Sequence, residues 1–159
     1  MFAITRVIWQ GRYAAPAWLP ELRAAGITHI LNVCEAGHVL TAKDGPFTEL
    51  CSIAIDDLAP IPEPVALECL DALHRMATAP HSRVYLHCIA GHNRSPTVLW
   101  LYLVACGIDP QLAKEQISAR NIDAVPGHPR LVSPPLIAKA KEHAQRYLPH
   151  PRPEALEFA

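Results

Sequence analysis

Short apolar runs alternate with longer amphipathic runs along this chain of 159 residues. Four short runs are rich in branched or aromatic apolar side chains, as is typical of strands: positions 3–10, 27–33, 50–55 and 82–87. Five longer runs are apolar at helical spacing or follow a capping residue, and they predict helices at 17–25, 66–77, 95–106, 109–120 and 132–147. Because strands and helices alternate, we expect an α/β fold, a single-domain sandwich with a central, mostly parallel sheet flanked by helices.

The length of the chain suits one hydrophobic core, and no internal repeat or second domain is visible. The single predicted domain covers residues 1–148. Residues 149–159 begin with Pro-His-Pro-Arg-Pro and end in a short acidic stretch. They are therefore expected to form a proline-containing C-terminal tail.

The composition bears on the cellular compartment of the protein. Half of the residues are apolar, yet no apolar run approaches the roughly 18 residues that span a bilayer. The first nine residues are too short and too interrupted for a secretory signal. Five cysteines, an odd number at irregular spacing, argue against a disulfide framework. These features predict a cytoplasmic protein whose thiols stay reduced.

The formal net charge is −1, and no cluster of lysine and arginine stands out. Nucleic acid and anionic membranes are therefore not expected as main partners. The sequence does not determine the oligomeric state.

The segment from His87 to Pro96, HCIAGHNRSP, joins a predicted strand to a predicted helix. Backbone N–H groups in such a loop, together with the positive end of the helix dipole, form a cup for a tetrahedral oxyanion. The residues expected to form this cup are Ile89, Ala90, Gly91, His92, Asn93 and Arg94. The cup favours Cys88 as a thiolate nucleophile. Arg94 can hold two phosphate oxygens with its planar guanidinium, and Ser95 can donate a hydrogen bond to the sulfur.

Residue types alone leave two other interpretations of this segment open. Cys88 could be a buried structural cysteine. A metal could also bind here, although the residues lack a second Cys or His pair at zinc-like spacing. Its candidate ligands would be His81, His87, Cys88 and His92.

Polar residues follow the other predicted strands directly. If the strands run parallel, Cys34, Asp56, Asp57 and Cys88 all reach the same edge of the sheet. Cleavage of a phosphate ester by a thiolate needs a proton donor for the leaving oxygen, and the same group can later activate water. The apolar alternation before the two aspartates favours Asp57 as that acid, while Asp56 stays open.

At these residues the chain resembles a known family. The pattern His-Cys-x5-Arg-Ser, present here from His87 to Thr97, is similar to the signature of the cysteine-dependent protein tyrosine phosphatases, and in particular of their dual-specificity branch. The resemblance covers about residues 7–147. It implies a metal-independent phosphomonoester hydrolase that forms a phosphocysteine, needs no cofactor and acts on a phosphorylated protein or peptide. It also implies Asp57 as the general acid and a structural role for His87, which would hydrogen-bond the loop.

The substrate stays open within this resemblance. No N-terminal segment resembles the phosphotyrosine-recognition loop of the classical tyrosine-specific enzymes, so a shallow pocket and substrates beyond phosphotyrosine are expected. One alternative is a phosphatase for a phosphoinositide or an RNA 5′-phosphate, although related enzymes of that kind tend to carry lysines in the loop. Another is a non-catalytic phospho-binding module, which would require that the nucleophile, arginine or acid be lost.

Cys34 is a possible redox partner of Cys88. A thiolate is readily oxidised to sulfenic acid, which a second thiol can convert into a reducible disulfide. Neighbouring strands lie about 4.8 Å apart, a separation that a disulfide accepts. The segment Leu31–Cys34 is also similar to the corresponding strand in the phosphatases of regenerating liver and the lipid-phosphatase branch, where a cysteine has this role. The alternative is that Cys34 is a buried core residue, as is expected of the remaining cysteines: Cys51 at the start of its strand, Cys69 and Cys106.

Overall fold

The computed structural model describes all 159 residues, with five strands and six α-helices. The strands are β1 (Phe2–Ala3), β2 (Ile8–Gly11), β3 (His29–Asn32), β4 (Glu49–Ser52) and β5 (Val84–His87). The helices are α1 (Leu19–Ala24), α2 (Glu63–Thr78), α3 (Arg94–Ala105), α4 (Pro110–Arg120), α5 (Pro134–Tyr147) and α6 (Pro153–Leu156). Short 3-10 turns cover Pro16–Trp18 and Ala42–Asp44.

The five strands form one mixed sheet in the order β1-β2-β5-β3-β4. Strands β2, β5, β3 and β4 are parallel, and only the short edge strand β1 runs antiparallel. β5 lies at the centre, where Leu86 pairs with Gln10 on one side and with Leu31 on the other. The carboxyl ends of the parallel strands therefore share one edge, which confirms the predicted sheet and the α/β fold.

Alternate residues of the strands enter two cores on opposite faces of the sheet. Leu31 and Leu86 belong to a core of 36 buried residues beneath α2, α3, α4 and α5, whereas Ile30 and Tyr85 belong to a core of seven on the side of α1. Helix α3 is central to the larger core, because all twelve of its residues are buried. No helix combines the length and the apolar character that crossing a bilayer requires.

The predicted helices are confirmed, and their ends follow from local chemistry. Asp109 caps α4 by accepting a hydrogen bond from the Leu112 N–H at 2.9 Å, and Ser133 caps α5 in the same way. Gly107 follows α3 with φ +102°, a conformation that glycine adopts without steric cost.

The predicted first strand is wrong in one respect, since positions 3–10 form a hairpin of β1 and β2. Thr5 makes the reversal, because its Oγ1 accepts hydrogen bonds from the N–H groups of Val7 (3.2 Å) and Ile8 (3.0 Å). This turn contains no glycine or proline, the residues that often mark a turn, so the sequence does not indicate it.

The strand predicted at 50–55 is shifted. Regular pairing covers Glu49–Ser52, and the chain continues extended as Ile53 and Ile55 donate to Asn32 and Val33. Cys51 therefore lies inside β4, opposite Leu31, and not at the start of its strand.

Residues 149–159, predicted as a proline-containing C-terminal tail, pack against the rest of the chain. Arg152 donates hydrogen bonds to the carbonyl oxygens of Ala77 (3.0 Å) and Ser82 (3.1 Å), while Ala155 is fully buried. Phe158 forms an isolated bridge to Thr5. The C-terminal residues thus pack against the amino-terminal end of the parallel sheet, the end opposite the carboxyl edge.

Candidate active site

The phosphate loop runs from Cys88 to Asn93, between the central strand β5 and the amino terminus of α3. Gly91 bends it with φ +78°. A Cβ atom on Gly91 would lie 2.7 Å from the carbonyl carbon of Gly11, so the loop packs directly on the end of β2. Both observations explain why glycine is needed at this position.

The Cys88 thiol lies at the bottom of this loop and is only 2% exposed. Its Sγ is 3.2 Å from the hydroxyl oxygen of Ser95, which is fully buried. The sulfur of Cys88 is therefore shielded from solvent and lies beside the Ser95 hydroxyl, in the loop that leads into the amino terminus of α3.

Arg94, the first residue of α3, is turned back toward the loop and is 5% exposed. Its Nη1 donates to a carboxylate oxygen of Glu35 and to the carbonyl oxygen of Ile55, 3.1 Å away. Its Nε is 3.9 Å from Oδ1 of Asp57. A hydrogen bond from its own backbone amide, followed by the interaction with Arg94, lowers the pKa of Glu35. The guanidinium therefore lies between two carboxylates at the mouth of the cup.

Of the two candidate acids, Asp57 lies at the cup and Asp56 does not line it. Oδ1 of Asp57 accepts hydrogen bonds from the side-chain amide of Asn93 (3.3 Å) and from the backbone N–H of Leu58 (3.1 Å). This geometry favours Asp57, whose role as the acid stays a prediction.

Most of the predicted cup residues, together with Cys88 and Asp57, line one open cavity of about 290 Å³. Its lining comprises Glu35, Asp57, Cys88, Ile89, Ala90, His92, Asn93 and Arg94. Gly91 holds the loop from behind, against β2. Of the candidate metal ligands, His81 precedes β5 and so lies at the other end of that strand from Cys88, and no group of three or more metal-ligating side chains converges anywhere in the structure.

His87 is fully buried and directly precedes Cys88. Its Nδ1 donates to the carbonyl oxygen of Cys88 at 3.0 Å, and its ring stacks on Tyr85 with 5.5 Å between centroids. Tyr13 contacts it edge-on at 5.2 Å. Burial lowers the pKa of His87 to about 4, so the ring is neutral at ordinary pH. Nε2 has no hydrogen-bond partner. The bond from Nδ1 to the loop is the contact that the predicted structural role requires, and that role stays a prediction.

Sequence reasoning missed two buried amides that support the loop. Gln10 of β2 donates from Nε2 to the carbonyl oxygen of Gly91 and to Oγ of Ser95, both at 2.9 Å. Asn121, at the end of α4, donates to the same carbonyl at 3.1 Å and to Oε1 of Gln10 at 2.9 Å. The available signal was the polarity of Gln10 within an apolar strand.

The segment after α4 also holds the outer side of the loop. The N–H of Val125 donates to the carbonyl oxygen of His92 at 2.7 Å, and Thr97 of α3 donates to the carbonyl oxygen of Val125 at 3.2 Å. The backbone of His92, one of the residues predicted to form the cup, is therefore held by Val125, while its side chain is exposed.

Cys34 lies at the same sheet edge, one residue after Val33, whose N–H donates to the carbonyl oxygen of His87 at 2.9 Å. It is 2% exposed, and its thiol donates to Oδ1 of Asn32 at 2.9 Å. Burial raises the pKa of Cys34. The raised pKa favours the protonated thiol, and the redox role of Cys34 stays a prediction.

Comparison with known proteins places residues 12–144 in the family described as "Swiss Army Knife protein, DSP-PTPase phosphatase domain". Protein tyrosine phosphatase type IVA 3 from Homo sapiens is 28% identical over 109 residues, 68% of this chain and 63% of that protein. Type IVA 2 from Mus musculus is 29% identical over 89 residues, 55% of this chain and 53% of that protein. Dual specificity protein phosphatase 26 from Bos taurus is 29% identical over 104 residues, 61% of this chain and 49% of that protein. The chain thus spans about half to under two thirds of these relatives.

Solved structures share the whole fold. Human DUSP28 superposes with a TM-score of 0.72 at 18% identity, covering 92% of this chain and 99% of its own. DUSP15 superposes with a TM-score of 0.66 at 23% identity, covering 87% of this chain and 83% of its own. PTPMT1, solved in complex with PI(5)P, superposes with a TM-score of 0.67 at 17% identity, covering 89% of this chain and 92% of its own. These likenesses confirm the fold class predicted from the sequence.

Proposed function

We propose a reaction and a substrate class for this chain from the premise that it belongs to the DSP-PTPase phosphatase family, whose match covers residues 12–144. The chain is therefore a cysteine-based phosphatase. Our proposal is that it hydrolyses phosphomonoesters of proteins, above all phosphotyrosine, through a phosphocysteine and without a metal ion. The observation that carries it is the meeting of Cys88, Arg94 and Asp57 around one cavity.

In the first step the Cys88 thiolate attacks phosphorus while the bond from phosphorus to the leaving oxygen breaks. Arg94 and the backbone amides of the loop hold the equatorial oxygens, where negative charge is spread. Asp57, protonated, gives its proton to the leaving phenoxide. Its position across the cavity, held by Asn93 at 3.3 Å, suits that transfer.

In the second step a water molecule attacks phosphorus and gives its proton to the Asp57 carboxylate. The bond from phosphorus to sulfur breaks and its electron pair returns to Cys88. Ser95, 3.2 Å from the sulfur, stabilises the thiolate that leaves. Asp57 therefore acts as acid and then as base, and the enzyme returns to its starting protonation state.

The lining of the cavity supports a phosphoprotein as the substrate. Arg94 is its only lysine or arginine, and two carboxylates, Glu35 and Asp57, face it. A polyphosphorylated headgroup or an RNA triphosphate would bring several further negative charges to this site without added cations to meet them. Ile89 forms a half-exposed apolar wall, suited to an aromatic ring.

A hydrolysis panel in the presence of a chelator tests the proposal. It compares a phosphotyrosine peptide, a phosphoserine peptide, a phosphoinositide and an RNA 5′-triphosphate at equal concentrations, with the Cys88→Ser variant as blank. We expect the highest kcat/KM for the phosphotyrosine peptide. A higher value for the phosphoinositide or the RNA would overturn the substrate class, and loss of all activity in chelator would overturn the metal-independent reaction.

A further inference from the structure

We propose that Gln10 is a positioning residue that, together with Asn121, sets the direction of the hydrogen bond between Ser95 and Cys88. The proposal rests on the proposed function, because it concerns the departure of Cys88 from its phosphoryl group. Gln10 lies in β2 and Asn121 ends α4, so two elements distant in sequence meet behind the loop. Both side chains are buried, with exposures of 0% and 3%.

The carbonyl oxygen of Gly91 fixes the orientation of both amides. A carbonyl oxygen only accepts, and it can accept two hydrogen bonds. It receives one from Nε2 of Gln10 at 2.9 Å and one from Nδ2 of Asn121 at 3.1 Å. A flipped Gln10 would bring its own oxygen against this carbonyl and place its NH2 group against the NH2 group of Asn121. The observed arrangement is therefore the one that satisfies every group, and Oε1 of Gln10 accepts from Asn121 at 2.9 Å.

This orientation determines what Ser95 can do. Nε2 of Gln10 donates its second hydrogen to Oγ of Ser95 at 2.9 Å, so that oxygen is an acceptor toward Gln10. The single hydroxyl hydrogen of Ser95 is then free for the neighbouring Sγ of Cys88, 3.2 Å away. Because Ser95 is fully buried, no water competes for the hydroxyl. The hydrogen bonds thus all point in one direction, from Asn121 to Gln10, from Gln10 to Ser95 and from Ser95 to the sulfur. We call this chain of donors the relay.

The direction matters most when the phosphocysteine is hydrolysed. As the bond from phosphorus to sulfur breaks, the electron pair goes to Sγ of Cys88, and a hydroxyl already directed at the sulfur stabilises the charge without reorganisation. Without Gln10, the Ser95 hydrogen is free to turn to another acceptor. The first step, in which sulfur loses charge, does not gain from this bond. Removing Gln10 should therefore slow the second step selectively.

The test is rapid-mixing kinetics of p-nitrophenyl phosphate hydrolysis by the wild-type chain, Gln10→Met, Ser95→Ala and the double variant. Methionine keeps the unbranched shape of Gln10 and lacks its amide donors. A lost hydrogen bond to a charged group predicts a kcat for Gln10→Met that is roughly ten- to a hundredfold lower. KM should fall in parallel, so kcat/KM changes less than about threefold, and a burst of nearly one equivalent of p-nitrophenol should appear.

The double variant separates the relay from a general effect on packing. If Gln10 acts through Ser95, the double variant should be no slower than Ser95→Ala, since the two losses are the same interaction. Multiplying losses, or an equal fall of kcat and kcat/KM without a burst, would overturn the proposal. Tyr102→Phe is the matched control, because it removes another buried hydrogen bond of α3, to His74 at 3.1 Å. It should leave the burst unchanged.

A replacement variant and the activity of the wild-type chain keep the test conclusive. If thermal melting shows that Gln10→Met does not fold, Asn121→Leu replaces it. It should show the same signature to a smaller extent, because Gln10 keeps its bonds to Gly91 and Ser95 but loses the bond from Asn121 that helps to fix its orientation. An unchanged kcat and burst in Asn121→Leu would then overturn the relay. Failure of the proposed function would look different, since the wild-type chain itself would show no turnover that depends on Cys88.

Discussion

The two sides of the active site are built in different ways. On the nucleophile side, Cys88 and Ser95 are 2% and 0% exposed, and buried amides from distant elements bond to the loop that holds them. On the acid side, the side chains of Asp57 and Glu35 are 43% and 65% exposed and belong to connections between strands and helices. One side is a closed framework of hydrogen bonds, and the other is open to solvent.

The difference matches what each side must do. Charge develops at fixed positions around the phosphoryl group, so amides and donors that are already oriented stabilise it without reorganisation. The proposed acid must instead reach the leaving oxygen and then the attacking water, and that water enters from solvent. Arg94 joins the two sides, because its guanidinium is buried but reaches the carboxylate of Glu35. Substitutions on the closed side should therefore weaken the stabilisation of charge at the sulfur and the phosphoryl group, and those on the open side should weaken proton transfer.

The largest effect is expected from the nucleophile. Cys88→Ser should abolish turnover of an aryl phosphate, because a serine hydroxyl is not ionised in this site. Phosphate or vanadate binding should persist, since the amides and Arg94 remain, whereas Arg94→Ala should weaken both binding and turnover. Activity assays and vanadate titration check this pair of variants. Full activity in Cys88→Ser would end the mechanism.

On the open side, Asp57→Asn should lower kcat by roughly 10²–10⁴ for a phosphotyrosine peptide. The loss should be smaller for p-nitrophenyl phosphate, whose leaving group needs little protonation. Asp56→Asn is the matched control, because Asp56 directly precedes Asp57 but does not line the cavity. If the two variants exchange behaviour, the acid has been assigned to the wrong aspartate.

The packing of the loop on β2 predicts the next effect. Gly91→Ala would hold alanine at φ +78° with its Cβ 2.7 Å from the backbone of Gly11, so the loop must move. We expect kcat/KM to fall by about tenfold or more. Gly37→Ala is the control on the open side, because nothing lies within 4 Å of its added Cβ. Equal activity of the two variants would contradict the fixed loop.

Much of this arrangement could be predicted from the sequence, because it depends on local signals. The capping residue Asp109 and the fully apolar stretch of α3 predicted their helices, and the segment from His87 to Ser95 predicted the cup. The relay of Gln10 and Asn121 could not be predicted, because 111 positions separate the two residues and only the fold brings them together. The hairpin at Thr5 was missed because a side-chain hydroxyl makes the turn.

The burial of His87 predicts a smaller effect, on stability alone. Its pKa is lowered to about 4 by burial, from an ordinary 6.5. As the pH falls through 6.5 the unfolded chain takes up a proton, whereas the folded chain does so only near 4. The stability that depends on neutral His87 is thus fully present above pH 6.5 and is lost across this window, by about 3 kcal/mol.

Denaturant unfolding at several pH values checks this expectation. His87→Gln should lower the free energy of unfolding at pH 7 and flatten its decline between pH 6.5 and 4. His150→Gln, at an exposed position, should keep the wild-type slope. An unchanged slope in His87→Gln would show that another group carries the pH dependence.

The smallest effect on basal activity is expected at Cys34. Cys34→Ser should keep kcat/KM within about twofold under reducing conditions, because Cys34 does not line the cavity. After peroxide treatment the wild-type chain should regain activity with added thiol and show a Cys34–Cys88 link by non-reducing peptide mapping. Inactivation that stays fully reversible in Cys34→Ser would contradict the redox role.

The proposed mechanism requires that the phosphoryl group is bonded transiently to the buried sulfur of Cys88. Acid quenching of the wild-type chain during turnover of a phosphotyrosine peptide in chelator, followed by peptide mapping, tests it most directly. We predict up to one phosphate per chain, found on the peptide that contains Cys88 and absent from Cys88→Ser. Sustained hydrolysis with no phosphorylated peptide, or with phosphate on another residue, would contradict the mechanism.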